Sequence, residues 1–143
     1  MVDDLQSILQ LHRSKSNVNE IVSSGGESKD SHPNSSEIPD VFFDKVVIDF
    51  KLSRIEILVL MYIYRRVWCY PNLHRDYGIS PMMSHTEMAK VLHLPIEDVY
   101  SALRRLEEHE FIKTIRAGQY FVRRYFTKAN DEELDQSYSD FDV

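Results

Sequence analysis

Residues 84–124 read SHTEMAKVLHLPIEDVYSALRRLEEHEFIKTIRAGQYFVRR, and this stretch decides the fold because two helical patterns follow one another in it. Ser84 or His85 is the predicted N-cap, with Glu87 near the third position, and the short helix behind it ends near His93. Pro95 suits the start of a longer helix, in which four apolar residues recur at helical spacing: Val99, Ala102, Leu103 and Leu106. The sequence therefore predicts a helix, a tight turn and a second helix.

The last part of the same stretch changes to a β pattern. Residues 112–116 and 119–126 are rich in β-branched and aromatic side chains, and they flank Ala117-Gly118. Since two such residues between β-rich segments are typical of a tight turn, a β-hairpin is predicted here.

A long, largely buried helix is predicted upstream. Ser53 and Glu56 form a capping-box pattern ahead of RIEILVLMYIYRRVWCY, whose apolar residues cover most of the helix surface. Pro71 ends this helix, and a turn-rich loop follows. Before it, residues 41–50 read VFFDKVVIDF, a composition that predicts a strand or an extended lead-in.

Both ends of the chain are predicted to be acidic, disordered tails, at residues 1–40 and 129–143. They carry too few apolar side chains to offset the entropy of ordering, apart from a possible short amphipathic helix near the N-terminus. Residues 1–50 hold 4 basic and 9 acidic side chains, residues 51–128 hold 13 and 8, and residues 129–143 hold 0 and 6. The middle of the chain alone is basic, within a total charge of −6.

Several classes of protein are excluded by the sequence. No apolar run approaches the roughly 18 residues of a membrane span, and the acidic start differs from a secretory signal, so a cytoplasmic protein is predicted. Cys69 is the single cysteine, and the histidines show no ligand spacing with it, so neither a metal nor a cofactor is expected. There is no Gly-rich phosphate loop, nucleophile elbow or acid–base pair, which favours a non-enzymatic protein.

The order of these elements resembles the winged helix-turn-helix domains of bacterial transcription regulators and of plasmid or phage replication initiators. The resemblance covers about 75 residues, mostly at packing positions, and therefore implies fold more strongly than function. Its matching positions are Thr86, Ala89 or Lys90, Leu92, Val99, Ala102, Leu103, Leu106, Glu107, Phe111 and Ile112. The implied fold is mainly α with a small β-hairpin, and the domain is expected at residues 41–128.

The resemblance implies a DNA-binding face made of three parts. The longer helix would enter the major groove and present Glu97, Tyr100, Ser101, Arg104 and Arg105. The start of the shorter helix would contact a phosphate through Ser84, His85 and Thr86. The hairpin would clamp the backbone or the minor groove through Lys113, Arg116, Gln119, Arg123 and Arg124.

Some of these residues have a plainer interpretation. Glu97 and Asp98 lie in a first helical turn, where stabilisation by the helix dipole is favoured over base readout. The Arg65-Arg66 pair favours snorkelling or a surface ion pair over DNA contact. Packing within the hairpin is favoured over stacking on bases for the aromatic residues Tyr120, Phe121, Tyr125 and Phe126.

Two functions stay open from the sequence. The first is a DNA-binding module, a transcription regulator or replication-linked factor, with a steep dependence of binding on salt. The second is a protein interaction or adaptor module without DNA binding. It would bind protein through the longer helix with its acidic first turn, and recruit partners through apolar residues of the tails: Leu5, Ile8, Leu9, Tyr138 and Phe141. A homodimer through the long helix and residues 41–50 is also expected.

Overall fold

A computed structural model describes residues 34–139 of the chain. Helices make up most of this part, and two antiparallel strands form its sheet. The predicted class, mainly α with a small β-hairpin, is confirmed. No helix within the described residues has the length and apolar content needed to cross a bilayer.

The first element is helical, so the strand predicted at residues 41–50 is wrong. A π-helical turn, Phe42–Val46, leads into a short α-helical piece, Val47–Asp49, and the two together are α1. Phe42 and Val46 are four residues apart and both are buried, whereas Phe43 between them is exposed. Burial at helical spacing outweighs the β preference of these side chains.

The long helix, α2, confirms the prediction. It spans Arg54–Tyr64 and continues as a π-helical segment, Arg65–Cys69. The capping box is present, because the Glu56 N–H donates to Ser53 Oγ and the Ser53 N–H donates to Glu56 Oε1, each at 3.1 Å. α2 supplies the centre of the core through fully buried side chains: Val59, Leu60, Ile63 and Val67.

The next helices and the hairpin also follow the prediction. Helix α3 spans His85–Leu92, with Ser84 Oγ accepting from the Glu87 N–H, and helix α4 spans Ile96–Glu108. Strands β1, Ile112–Arg116, and β2, Gln119–Val122, pair antiparallel. The core side of α4 is the predicted one: Val99, Ala102, Leu103 and Leu106 are buried.

The segment between α2 and α3 covers the outer edge of β2, which the sequence did not predict. The Val122 N–H donates to the Gly78 carbonyl at 2.8 Å, and the Ser80 N–H donates to the Tyr120 carbonyl at 2.9 Å. The Met83 N–H donates to the carbonyl of Gly118 at 2.7 Å. β2 is therefore an inner strand, while no strand within residues 34–139 pairs with the outer edge of β1.

The described part of the C-terminal tail is folded onto the core, unlike the predicted disordered tail that begins at residue 129. Helix α5, Lys128–Glu133, is capped by Thr127, whose side chain accepts from the Asn130 N–H. Beyond it, Tyr138 is buried against Trp68 and Phe121. Residues 127–139 are called the C-terminal strap below.

One buried carboxylate holds the C-terminal strap. Asp131 accepts from Arg123 Nη1 at 3.2 Å, from the Tyr138 hydroxyl at 2.5 Å and from the Tyr125 N–H at 3.0 Å. This acidic segment is ordered because Asp131, although buried, is paired with one cation and accepts two further hydrogen bonds. Composition alone does not reveal such a contact.

Candidate nucleic-acid interface

Helix α3, helix α4 and the hairpin are joined by side-chain contacts into one surface. His85 Nε2 lies 2.5 Å from the Tyr120 hydroxyl, and the Tyr100 ring meets the His85 ring edge-on at 5.2 Å. The Thr114 hydroxyl donates to the Glu107 carboxylate. These contacts fix the hairpin against the start of α3 and the last turn of α4. We call this surface the α4–hairpin face; the predicted residues on it are Ser84, His85, Thr86, Glu97, Tyr100, Ser101, Arg104, Arg105, Lys113 and Arg116.

Nine of these ten side chains are exposed, and His85 is half-buried. On α4, the exposed residues lie opposite the buried stripe because their positions differ by about half a helical turn. Tyr100 is the one large apolar side chain among them, at 43% exposure. No part of residues 34–139 covers the exposed side of α4, which is therefore accessible to a binding partner.

The charges on α4 are mixed. The helix carries Glu97, Asp98, Glu107 and Glu108 against Arg104 and Arg105, a net charge of −2. Arg105 Nε lies 3.5 Å from Glu56 Oε2 on α2, whereas Arg104 makes no ion pair within residues 34–139. Arg104 is thus the arginine of α4 that is free to meet an anion.

The hairpin supplies the positive charge of the face. Lys113 and Arg116 are exposed on β1, and Arg116 Nε donates to Gln119 Oε1 at 2.9 Å. The turn is shaped by Gly118, which has φ +85° and whose hypothetical Cβ would lie 2.5 Å from the Met83 carbonyl oxygen. Glycine is required at this turn since both the backbone conformation and the close approach exclude a side chain.

Three predicted hairpin residues do not lie on the face, and their assignment is corrected. Gln119 is buried and its amide donates to the Ser80 carbonyl at 3.0 Å. Arg123 is buried in its ion pair with Asp131, and Arg124 places its guanidinium over the Trp68 ring at 5.5 Å. The reason is that the segment before α3 and the C-terminal strap cover β2 and its continuation, neither of which the sequence revealed.

Three of the four aromatic residues that were predicted to pack rather than to stack on bases are buried. Tyr120, Phe121 and Phe126 are buried in the core, as the packing interpretation predicted. Burial, followed by the nearby Glu107 carboxylate, raises the pKa of Tyr120 to about 12. Arg65 forms no ion pair within residues 34–139, and it donates instead to Ser36 Oγ at 3.1 Å and to the Tyr70 hydroxyl.

Of the predicted partner-binding residues, the structure describes Tyr138. Tyr138 is buried in the C-terminal strap, so it does not present an exposed docking side chain. Leu5, Ile8, Leu9 and Phe141 lie outside the described residues. Within residues 34–139, no three His, Cys, Asp or Glu side chains are grouped so that they could hold a metal ion.

Comparison with protein-family models, curated proteins and solved structures gave no match to this chain. Its function is therefore inferred from its residues and their arrangement.

Proposed function

We propose that residues 41–128 form a winged-helix domain that binds double-stranded DNA in the cytoplasm, as a transcription regulator or replication-linked factor without enzymatic activity. The order of elements supports this: α2, an extended segment beside β2, α3, a tight turn, α4 and a hairpin. In such a domain α4 is the helix that enters the major groove, and the hairpin is the wing.

The observation that carries the proposal is the open side of α4 next to an exposed basic turn. Arg104 has no ion-pair partner in the described residues, and Lys113 and Arg116 project from β1. An arginine on a groove helix suits a guanine edge or a phosphate, while the hairpin cations suit the phosphate backbone. The three cations together make the contacts, against the repulsion of the α4 carboxylates.

The number of these cations sets the expected behaviour. If Arg104, Lys113 and Arg116 each neutralise one phosphate, the logarithm of the binding constant should fall with the logarithm of salt with a slope of about −3. Such binding is moderate in strength and sensitive to salt. It differs from the behaviour of a strongly basic DNA-binding protein, whose slope is steeper.

Fluorescence anisotropy with a labelled duplex of about two helical turns tests the proposal. The double variant Arg104→Gln/Arg116→Gln should weaken binding about ten-fold or more and reduce the salt slope by about 2. The matched control is Arg54→Gln/Lys128→Gln, which removes two exposed cations elsewhere and should bind like the wild type. Equal weakening by both double variants, or no binding of the wild type at low salt, would contradict the proposal.

A second candidate function, the adaptor module without DNA binding, is favoured by the four carboxylates of α4. These would repel phosphates and suit a basic protein surface instead. The variant Glu97→Gln/Glu108→Gln separates the two functions. For a DNA-binding domain it should tighten duplex binding because it removes repulsion, whereas an adaptor should bind no duplex before or after the change.

A further inference from the structure

A surface cleft of about 610 Å³ lies between the segment before α1 and the C-terminal part of α2, away from the hairpin turn. Its lining includes Ile38, Pro39 and Asp40 from the segment before α1, Trp68 from α2, and Arg75 and Arg124. Its volume is within the range of about 300–1,000 Å³ that is usual for small-molecule sites.

Arg124 makes two backbone hydrogen bonds and two ring contacts at this cleft. Its backbone N–H donates to the Tyr138 hydroxyl at 3.0 Å, and its carbonyl accepts from the Tyr64 hydroxyl at 2.8 Å. Its guanidinium lies 5.5 Å from the Trp68 ring centroid and 5.7 Å from that of Tyr125. The two ring contacts position the guanidinium and the two hydrogen bonds hold the backbone that carries it, which reduces the entropy lost when it binds a ligand.

Among residues 34–139, no carboxylate forms an ion pair with the guanidinium of Arg124. The ion pairs of residues 34–139 involve Arg105 and Arg123 and not Arg124. A fixed guanidinium with open donors is suited to a carboxylate or a phosphate, which it binds through two parallel hydrogen bonds. Arg75, exposed at the same cleft, supplies a second donor group without an ion pair in the described residues.

The remaining lining limits what the cleft accepts. Glu37 and Asp40 line the cleft together with Arg75 and Arg124, so the four formal charges sum to zero. A polyanion such as DNA gains nothing from this balance, whereas a ligand with one anionic group can reach the arginines and leave the carboxylates in water. Ile38, Pro39 and the aromatic rings of the lining favour a flat apolar body.

We propose that this cleft binds a small organic anion, with one carboxylate or phosphate held by Arg124 and Arg75 and a flat apolar group between Pro39 and Tyr125. The site is formed by residues outside the α4–hairpin face. It therefore does not depend on the proposed DNA binding, and each proposal can fail without the other.

Trp68 provides a direct readout, because it is the single tryptophan of the chain and touches Arg124. The full-length protein is titrated with benzoate, phenyl phosphate and inorganic phosphate, and tryptophan emission is recorded. Benzoate or phenyl phosphate should produce a saturable change at millimolar concentration or below, and inorganic phosphate should bind at least about ten-fold more weakly. Equally tight binding of inorganic phosphate would overturn the apolar part of the site.

Arginine variants test the anion contact, with isothermal titration calorimetry as a second readout because Arg124→Gln also alters the surroundings of Trp68. Arg124→Gln and Arg75→Gln should each raise the half-saturating concentration by about ten-fold or more. The matched control Arg54→Gln removes a cation outside the cleft and should leave it unchanged. No saturable signal up to about 10 mM, or unchanged binding in both cleft variants, would overturn the proposal.

Discussion

Replacing Asp131 by alanine should destabilise the protein far more than its position near the C-terminus suggests. The Asp131 side chain is 4% exposed and its ion-pair partner Arg123 is 11% exposed, so both charges are largely removed from water. Without the carboxylate, the Arg123 guanidinium, the Tyr138 hydroxyl and the Tyr125 N–H each lose a hydrogen-bond acceptor. Arg123 is the most affected, since its Nε is already buried without a hydrogen-bond partner in the described residues.

The magnitude follows from the loss of one partner of a buried ion pair, which costs about 3–5 kcal/mol. For a domain of this size, 3 kcal/mol corresponds to a decrease in Tm of roughly 12–24 °C. Urea denaturation followed by Trp68 fluorescence measures the free energy of unfolding, and thermal denaturation by circular dichroism measures Tm. Glu132→Ala is the control, because Glu132 is an exposed carboxylate of the same helix and should change stability by no more than about 0.5 kcal/mol. A loss at Asp131 within about 1 kcal/mol of this control would refute the reasoning.

Three further predictions concern the turn, the buried tyrosines and the assembly. Gly118→Ala should lower the free energy of unfolding by more than about 1 kcal/mol, measured by urea denaturation, whereas Ala117→Gly next to it should cost less. Burial raises the pKa values of Tyr64, Tyr120 and Tyr138 in the folded state. The stability that these neutral hydroxyls contribute is therefore fully present below about pH 10 and is lost as the pH rises towards 12. Thermal melts across this range should show the loss, and Tyr120→Phe should reduce it. The homodimer expected from the sequence would bury the exposed Phe43 and Ile48 of α1, so Phe43→Glu/Ile48→Glu should give a monomer in sedimentation equilibrium, and an unchanged mass would exclude this face.

The helical part of the fold was predictable where apolar spacing and capping residues agree. Ser53 and Ser84 each mark a helix start that the structure contains, and the four buried residues of α4 were all identified. Local signals suffice there because they depend on residues at most four positions apart. The strand predicted over residues 41–50 failed because Phe42 and Val46 are buried by contacts with distant residues, such as Phe126 on Phe42.

The candidate site was predictable in part for the same reason. Exposure on α4 follows from helical spacing, and Arg104 was identified from it, whereas Lys113 and Arg116 were assigned from the resemblance of the hairpin to a wing. Gln119 is buried by its hydrogen bond to Ser80, which is distant in the sequence, and Arg123 by its ion pair with Asp131, which lies in the segment predicted to be disordered. The Arg124 cleft depends on hydroxyl groups 60 and 14 residues away, a juxtaposition that no local pattern encodes.

The C-terminal strap also determines when the domain can complete its folding during synthesis. Arg123 is made before Asp131 and Tyr138, so a nascent chain that ends near residue 124 has the arginine without its acceptor. At about 5–20 residues per second, the residues up to Tyr138 follow within roughly 1–3 s. Closure of the core around Phe121 and Trp68 is therefore a late event in the biosynthesis of this chain.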